Sequence, residues 1–316
     1  MPPVEERLRL ADRTMRALGR DAEMPPKIGV QPRQAGSVAH AMPAMLRGDA
    51  ADGSADLIGA KWIVGFPANP TIGLPTYHAL VLLNDPLTGE PLAVMDAGTI
   101  TTQRTAAISG TAIRHFLPGG TGPDGASAEV AVLGAGAQAR GHIPVIGHVL
   151  PGAHLRLTDV DPSRASALAE VASATPGVGS VRVVGSVREA VDSADVVVSV
   201  VSFGPDTQAL DPAWLAPEVL FVAVDYDMQA TASLARVAFF VVDERDQFLA
   251  TRTGATFAGF PDPDATLGDL FRGEGPQRST GRVLVAHLGV GLADVVFASA
   301  VLARAEQLGL GRILPG

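Results

Sequence analysis

The sequence predicts an α/β protein in which a doubly wound, Rossmann-type domain is joined to a smaller α+β domain. Three observations carry that expectation. Short apolar runs alternate with helical patterns from residue 129 to residue 249, as a parallel sheet with crossover helices demands. The first of these runs ends in a glycine-rich turn, EVAVLGAGAQARGH at residues 129–142. Between residues 60 and 96, in contrast, apolar runs follow one another across a short turn, the pattern of an antiparallel sheet.

Taken in order, residues 4–19 read as an amphipathic helix, with Leu8, Ala11, Met15 and Leu18 on one face and Gly19 as its stop. MPPK at 24–27 is held extended by its prolines. Residues 37–46 are strand-like up to Pro43, and His40 there reads as a core histidine. KWIVGF, HALVLLND and PLAVMDA are strands, the last two joined by the turn formers of residues 85–89. Residues 99–116 have helical spacing, and PGGTGPDGA at 118–126 is the clearest linker.

Beyond the glycine turn, helices at 162–172, 186–192 and 212–216 alternate with strands at 181–184, 195–201, 219–225 and 238–243. A short helix at 267–271, a Gly- and Pro-containing stretch at 273–281 and an apolar helix at 291–308 complete the chain. That last helix carries too much aliphatic surface to stand alone. The expected division is residues 1–117 with 285–316 as one domain and 118–284 as the other.

The turn at residue 134 is a G-x-G-x-x-A fingerprint. Gly134 permits the tight turn, Gly136 lets backbone amides approach a pyrophosphate, and Ala139 lets the helix lie close on the strand. Ala137 and Gln138 lie in the helix's first turn, where unpaired N–H groups and the dipole favour a phosphate. Such turns also close ordinary strand-to-helix loops, so the triplet alone leaves both readings open. The next strand ends in Asp159, 23 residues beyond Gly136, where an acidic residue binds the ribose 2′-hydroxyl of NAD. Asp161 competes for that role, and either could cap the helix that begins near Pro162. No arginine follows Asp159 directly, which favours NAD over NADP. Ser202 and Asp227 fall at carboxyl ends of strands, where such sheets place their chemistry.

Composition narrows the field. The 316 residues suit two domains, and 47% apolar with 18% charged residues is globular. With aromatics at 5%, the core is expected to be aliphatic. A formal charge of −9 argues against a nucleic-acid partner. The absence of cysteine excludes disulfides, zinc-thiolate sites and thiol nucleophiles, and it fits a cytoplasmic location. No signal peptide or long apolar run appears, so neither secretion nor a membrane is expected.

Three cations stand in unusual settings: Lys27 beside two prolines, Lys61 opening an apolar strand, and Arg104 near the start of an apolar helix. Single surface cations are ordinarily just solvated. Arginine is a bidentate carboxylate clamp, however, and lysine with a depressed pKa is a proton donor.

KWIVGFPANPTIGLP, LNDPLTGEPLAVMDAGTITTQRTAA and VLGAGAQA together resemble the ornithine cyclodeaminase and mu-crystallin family. The resemblance implies a homodimer whose first domain and C-terminal helix bind substrate and pair subunits. It further implies that Lys61, Arg104 and Lys27 bind a substrate carboxylate, that Thr76 lies near the cofactor phosphates, and that Asp227 is the general acid and base. Departures follow Asp227. Thr231 and Ser233 stand where the cyclodeaminases have lysine and glutamate, and Asp225 and Tyr226 stand where they have glycines.

The function so expected is an NAD(H)-dependent oxidoreductase that interconverts a small α-amino acid and its imino or keto acid, with Asp227, Lys61 and Lys27 at the chemistry and no metal. The rivals are an amino-acid cyclodeaminase that uses NAD catalytically and a dinucleotide-binding protein without turnover.

Overall fold

The computed structural model describes residues 1–48, 55–122, 125–204, 210–253, 255–276 and 280–312. Residues 123–124 of the expected linker and 277–279 of the expected Gly and Pro stretch lie outside them. Two compact units are present: unit 1, Met1–Arg104 with Val290–Gly316, and unit 2, Thr105–Gly289.

Unit 1 opens with α1 (Val4–Ala17), followed by β1 (Ala22–Glu23), β2 (Ile28–Val30), β3 (Val38–Leu46), β4 (Leu57–Gly65), β5 (Tyr77–Asn84) and β6 (Pro91–Asp96). These strands form one antiparallel sheet in the order β1-β3-β4-β5-β6, with β2 also paired to β3. Contrary to the sequence expectation, β3 runs on through Pro43, which lies opposite Ala60.

α2 (Gly98–Phe116) begins in unit 1 and continues into unit 2, whose elements are β7 (Glu129–Leu133), α3 (Ala137–Val149), β8 (Ala153–Thr158), α4 (Pro162–Ser173), β9 (Val178–Val183), α5 (Val187–Val191), β10 (Val196–Ser199), β11 (Leu220–Ala223), α6 (Ala232–Val237), β12 (Phe239–Val242), α7 (Arg245–Arg252), β13 (Ala265–Thr266), α8 (Leu267–Arg272) and β14 (Val283–Ala286). Residues 212–214 make only a 3₁₀ turn capped by Asp211, not the expected helix.

The eight strands of unit 2 are all parallel, in the order β13-β12-β14-β11-β10-β7-β8-β9. The run β9-β8-β7-β10-β11 is the doubly wound order, and the chain reverses direction between β7 and β10. Ligands of such sheets bind at that reversal, beyond the strands' carboxyl ends. The core is mainly aliphatic, with one aromatic group inside it. Phe221, Phe240, Phe248, Phe257 and Phe260 gather in one buried cluster of unit 2.

α9 (Gly291–Gln307) returns to unit 1 and packs on β3, β4, β5 and α1. A Cβ at Gly291 would lie 2.8 Å from the carbonyl oxygen of Met42, so the helix start presses on the strand backbone. The opposite sheet face leaves Ile58, Trp62, Leu80, Leu92 and Val94 exposed.

Candidate active site

At the strand reversal of unit 2, Gly134 follows β7 with φ 96°. A Cβ there would lie 2.7 Å from the carbonyl oxygen of Val200, so the position admits only glycine. Gly136 is the N-cap of α3, has no capping side chain, and leaves open the space a Cβ would take. The N–H groups of Ala137, Gln138 and Ala139 thus open a 13-residue helix without a side-chain cap, an arrangement that fits a pyrophosphate. Gln138 Oε1 is buried without a partner, and Ala139 is fully buried.

The two carboxylates left open by the sequence have separate tasks. Asp161 caps α4 by accepting from the Ser163 N–H. Asp159 accepts from the Ala135 N–H at 2.7 Å, inside the fingerprint turn, and from the Asp161 N–H at 2.9 Å. Asp159 therefore sits at the crevice where a ribose would be met.

Ser202 is exposed just beyond β10. Asp227 is half-buried, and its Oδ2 accepts from the backbone N–H of Phe257 at 2.7 Å. Two residues earlier, Asp225 is buried, and burial pushes its carboxyl up to about 7. The departures after Asp227 are uncharged hydroxyls at the start of α6. Thr231 caps α6 by accepting from the Leu234 N–H, and its hydroxyl lies 2.8 Å from that of Ser233.

Unit 1 brings Lys61 and Arg104 together around a residue the sequence reading missed. Asp294, in the first turn of α9, is fully buried. Its Oδ2 lies 2.6 Å from Lys61 Nζ, and its Oδ1 accepts from Arg104 Nε at 3.1 Å. Lys61 Nζ also lies 3.5 Å from Thr101 Oγ1. Burial lowers the Lys61 ammonium to about 7 against the pull of Asp294, and Arg104 and Lys27 lower it further by repulsion. Arg104 is 4% exposed, and its Nη1 is buried with no partner among the described residues. An unsatisfied guanidinium N–H beside a buried ammonium can donate to a carboxylate oxygen.

Lys27 is half-buried before β2. His40 lies on the same face of the sheet as Lys61, opposite Ile63. Burial lowers its imidazole, with Lys27 and Lys61 adding repulsion, so the ring stands near these cations in its neutral form. Thr76 belongs to unit 1, in the segment before β5, where its carbonyl accepts from the Phe66 N–H.

A second unforeseen feature is a buried polar chain in unit 2. Ser109 Oγ lies 2.9 Å from His142 Nε2 and 2.8 Å from His287 Nε2, while His142 Nδ1 lies 2.7 Å from the Gln138 carbonyl. A carbonyl only accepts, so His142 Nδ1 carries the hydrogen and Nε2 accepts from Ser109. Burial lowers that imidazole to about 4. The chain ties the fingerprint helix to the residue after β14.

A parallel sheet of this order, with a glycine fingerprint at its reversal, and a second, antiparallel unit in the same chain define a Rossmann-type protein of two units. Residues 1–308 match the model of the ornithine cyclodeaminase/mu-crystallin family. The chain belongs to that family. It is 31% identical over 318 residues to the nodulation efficiency protein NfeD of Rhizobium meliloti, covering 99% of this chain and 94% of that one. It is 30% identical to the ketimine reductase mu-crystallin of Mus musculus, covering 78% and 75%. Among solved structures, an archaeal alanine dehydrogenase dimer with bound NAD superposes with a TM-score of 0.80 at 26% identity, covering 99% and 95%. Among the described residues, no helix is long and apolar enough to cross a membrane.

Proposed function

We propose that the chain is an NAD(H)-dependent oxidoreductase that interconverts an α-amino acid and its α-imino or keto acid. The observation that carries this is the buried Lys61, Asp294 and Arg104 cluster, an assembled carboxylate receptor in the same chain as a fingerprint crevice. Unit 1 holds the substrate carboxylate on Arg104, Lys61 and Lys27, and unit 2 holds the dinucleotide. A dinucleotide held at Gly134, Gly136 and the start of α3 would supply the hydride acceptor, and in reverse the donor, for interconversion of the amine and the C=N carbon. Asp227 takes the proton that leaves the nitrogen, which the Phe257 N–H helps its carboxylate to await in a fixed orientation. The mouse ketimine reductase and the archaeal alanine dehydrogenase support this class of chemistry.

Net redox turnover is favoured over cyclodeamination by Thr231, which caps a helix, and Ser233, bonded to it, neither of which carries a charge for a second amine. A panel of amino acids, and of keto acids with amines, decides it by following nicotinamide absorbance and free ammonia together. The expected result is stoichiometric oxidation of NADH with an imino acid, abolished by Asp227→Asn in a folded protein. Rapid ammonia release from ornithine without net change in NADH would instead make the protein a cyclodeaminase.

The exposed row Ile58, Trp62, Leu80 and Val94 is the surface by which two copies pair, as its apolar character and the dimeric archaeal relative support. Trp62→Glu with Leu80→Glu yields a monomer in light scattering; a dimer of unchanged mass would rule this surface out.

A further inference from the structure

Beyond β10 the backbone of Val200 and Val201 is the wall against which the fingerprint turn closes. A Cβ on Gly134 would meet Val200 O at 2.7 Å and Val201 Cα at 3.1 Å. One side chain grips that wall from the neighbouring strand. Asp225, two residues past β11 and 2% exposed, uses a single carboxylate oxygen, Oδ2, to accept from the Ser199 hydroxyl at 2.5 Å and from the Val201 N–H at 3.1 Å. Its own backbone opens the turn that presents Asp227, because the Asp225 carbonyl accepts from the Met228 N–H at 3.2 Å.

That turn is held under tension. Tyr226 has φ 61° and Phe257 has φ 58°, both left-handed without being glycine. Such conformations persist only where the surroundings over-determine them. Here their rings stack 5.7 Å apart, Phe203 meets the Tyr226 ring edge-on at 5.1 Å, and the Tyr226 hydroxyl donates to the Leu288 carbonyl. Asp227 lies between the two strained residues, bonded to the N–H of one of them. A buried carboxyl is a costly way to brace a loop, and its other oxygen, Oδ1, is buried without a partner among the described residues. Its cost is explained if the brace sets geometry at two places at once.

We propose that Asp225 is a positioning residue that fastens the wall of the dinucleotide crevice to the turn carrying Asp227. The proposal rests on unit 2 binding a dinucleotide, as proposed above. Asp225 touches neither substrate nor cofactor in this role. It fixes Val201 against Gly134, and through its backbone it fixes where Asp227 begins.

The test is dinucleotide affinity of the full-length protein, measured by calorimetry without amino acid, beside steady-state kinetics and melting temperature. Asp225→Ala is expected to weaken NAD(H) binding about tenfold or more, the usual scale for removing a charge-assisted acceptor from two donors. kcat falls with it, while KM for the amino acid, set by unit 1, moves far less. Asp225→Asn recovers most of the affinity, since its carbonyl oxygen still accepts from Ser199 and Val201. Ser199→Ala, which leaves the Val201 bond in place, gives an intermediate loss and decides the matter if Asp225→Ala does not fold. A purely structural brace would lower the melting temperature of these variants and leave the dinucleotide Kd at the parental value; that outcome overturns the proposal. Failure of the parent itself to bind NAD(H) or NADP(H) would overturn the dinucleotide assignment and this role together, and is read separately from the variants.

Discussion

Asp294 and Lys61 form an ion pair sealed from solvent, 2.6 Å from carboxylate to ammonium, with side chains 0% and 1% exposed. A pair so placed adds little to stability by itself, because both ions have left water. Removing one partner is a different matter. Asp294→Asn leaves Lys61 and Arg104 as buried cations without the one carboxylate that, among the described residues, pairs with both. The expected cost is about 3–5 kcal/mol in urea unfolding, accompanied by a further fall in the Lys61 pKa. An unchanged unfolding midpoint would mean that water reaches the cluster.

Arg104 gives a test of substrate clamping. Its Nε holds Asp294 and its Nη1 is unpartnered, so lysine at this position keeps the charge and loses the free arm of the fork. Arg104→Lys is expected to lower kcat/KM by about 10- to 100-fold, the scale of one charge-assisted hydrogen bond. The Kd for NAD(H) stays within about twofold, because its contacts lie in the other unit. Parental kcat/KM on every substrate of the panel would reduce Arg104 to a structural partner of Asp294.

Much of this was legible beforehand, and the misses have physical causes. The fingerprint is written in local grammar, since the positive φ at Gly134 needs glycine and Gly136 gives α3 an N-cap without a side chain. The alternation after residue 129 is equally local. Asp294 was missed because a carboxylate in the first turn of a helix ordinarily serves the helix dipole in water. Its signal was present, as it is the lone acid in the aliphatic first half of α9. β14 was missed because VLVA is only four residues long, and its place between β11 and β12 comes from pairing across the sheet. Asp225 was visible as a departure from the family pattern. That it is buried and grips Val201 follows only from the packing of two strands.

Cofactor choice follows from Asp159. Its carboxylate closes the fingerprint turn through the Ala135 N–H and stands where a 2′-phosphate would bring a second negative charge. NAD(H) is expected to bind at least about tenfold more tightly than NADP(H), one like-charge contact in a partly buried crevice. Asp159→Ser narrows the ratio, and it also loosens both dinucleotides somewhat because the turn loses an acceptor. Equal Kd values for the parent protein would remove Asp159 from the recognition of the ribose.

The pH dependence separates Lys61 from Asp225, because their shifts act in different windows with opposite signs. Lys61 titrates near 7 in the fold against about 10.4 in an unfolded chain, so between those values the unfolded state holds more protons. Its penalty is therefore complete below pH 7 and is relieved as pH rises from 7 toward 10. Asp225 titrates near 7 against about 3.9 unfolded, so there the folded state holds more protons. Its penalty grows as pH rises from about 4 to 7 and is then constant. His142, lowered to about 4, acts against Asp225 over much of that lower window, so each group must be isolated by difference. Parent minus Asp225→Asn is expected to show stability falling only between pH 4 and 7, and parent minus Lys61→Met to show it rising only above 7. Each amplitude is at most on the order of 4 kcal/mol, from shifts of about three units. Substrate affinity runs against the second trend. Loss of the Lys61 proton removes a carboxylate-binding charge, so KM rises above pH 7 while the folded protein gains stability. Stability and substrate affinity measured on one pH series thus move in opposite directions above 7 if Lys61 titrates inside the binding cluster. Parallel movement of the two, or a flat KM up to pH 9, would show that Lys61 keeps its proton or does not meet the substrate.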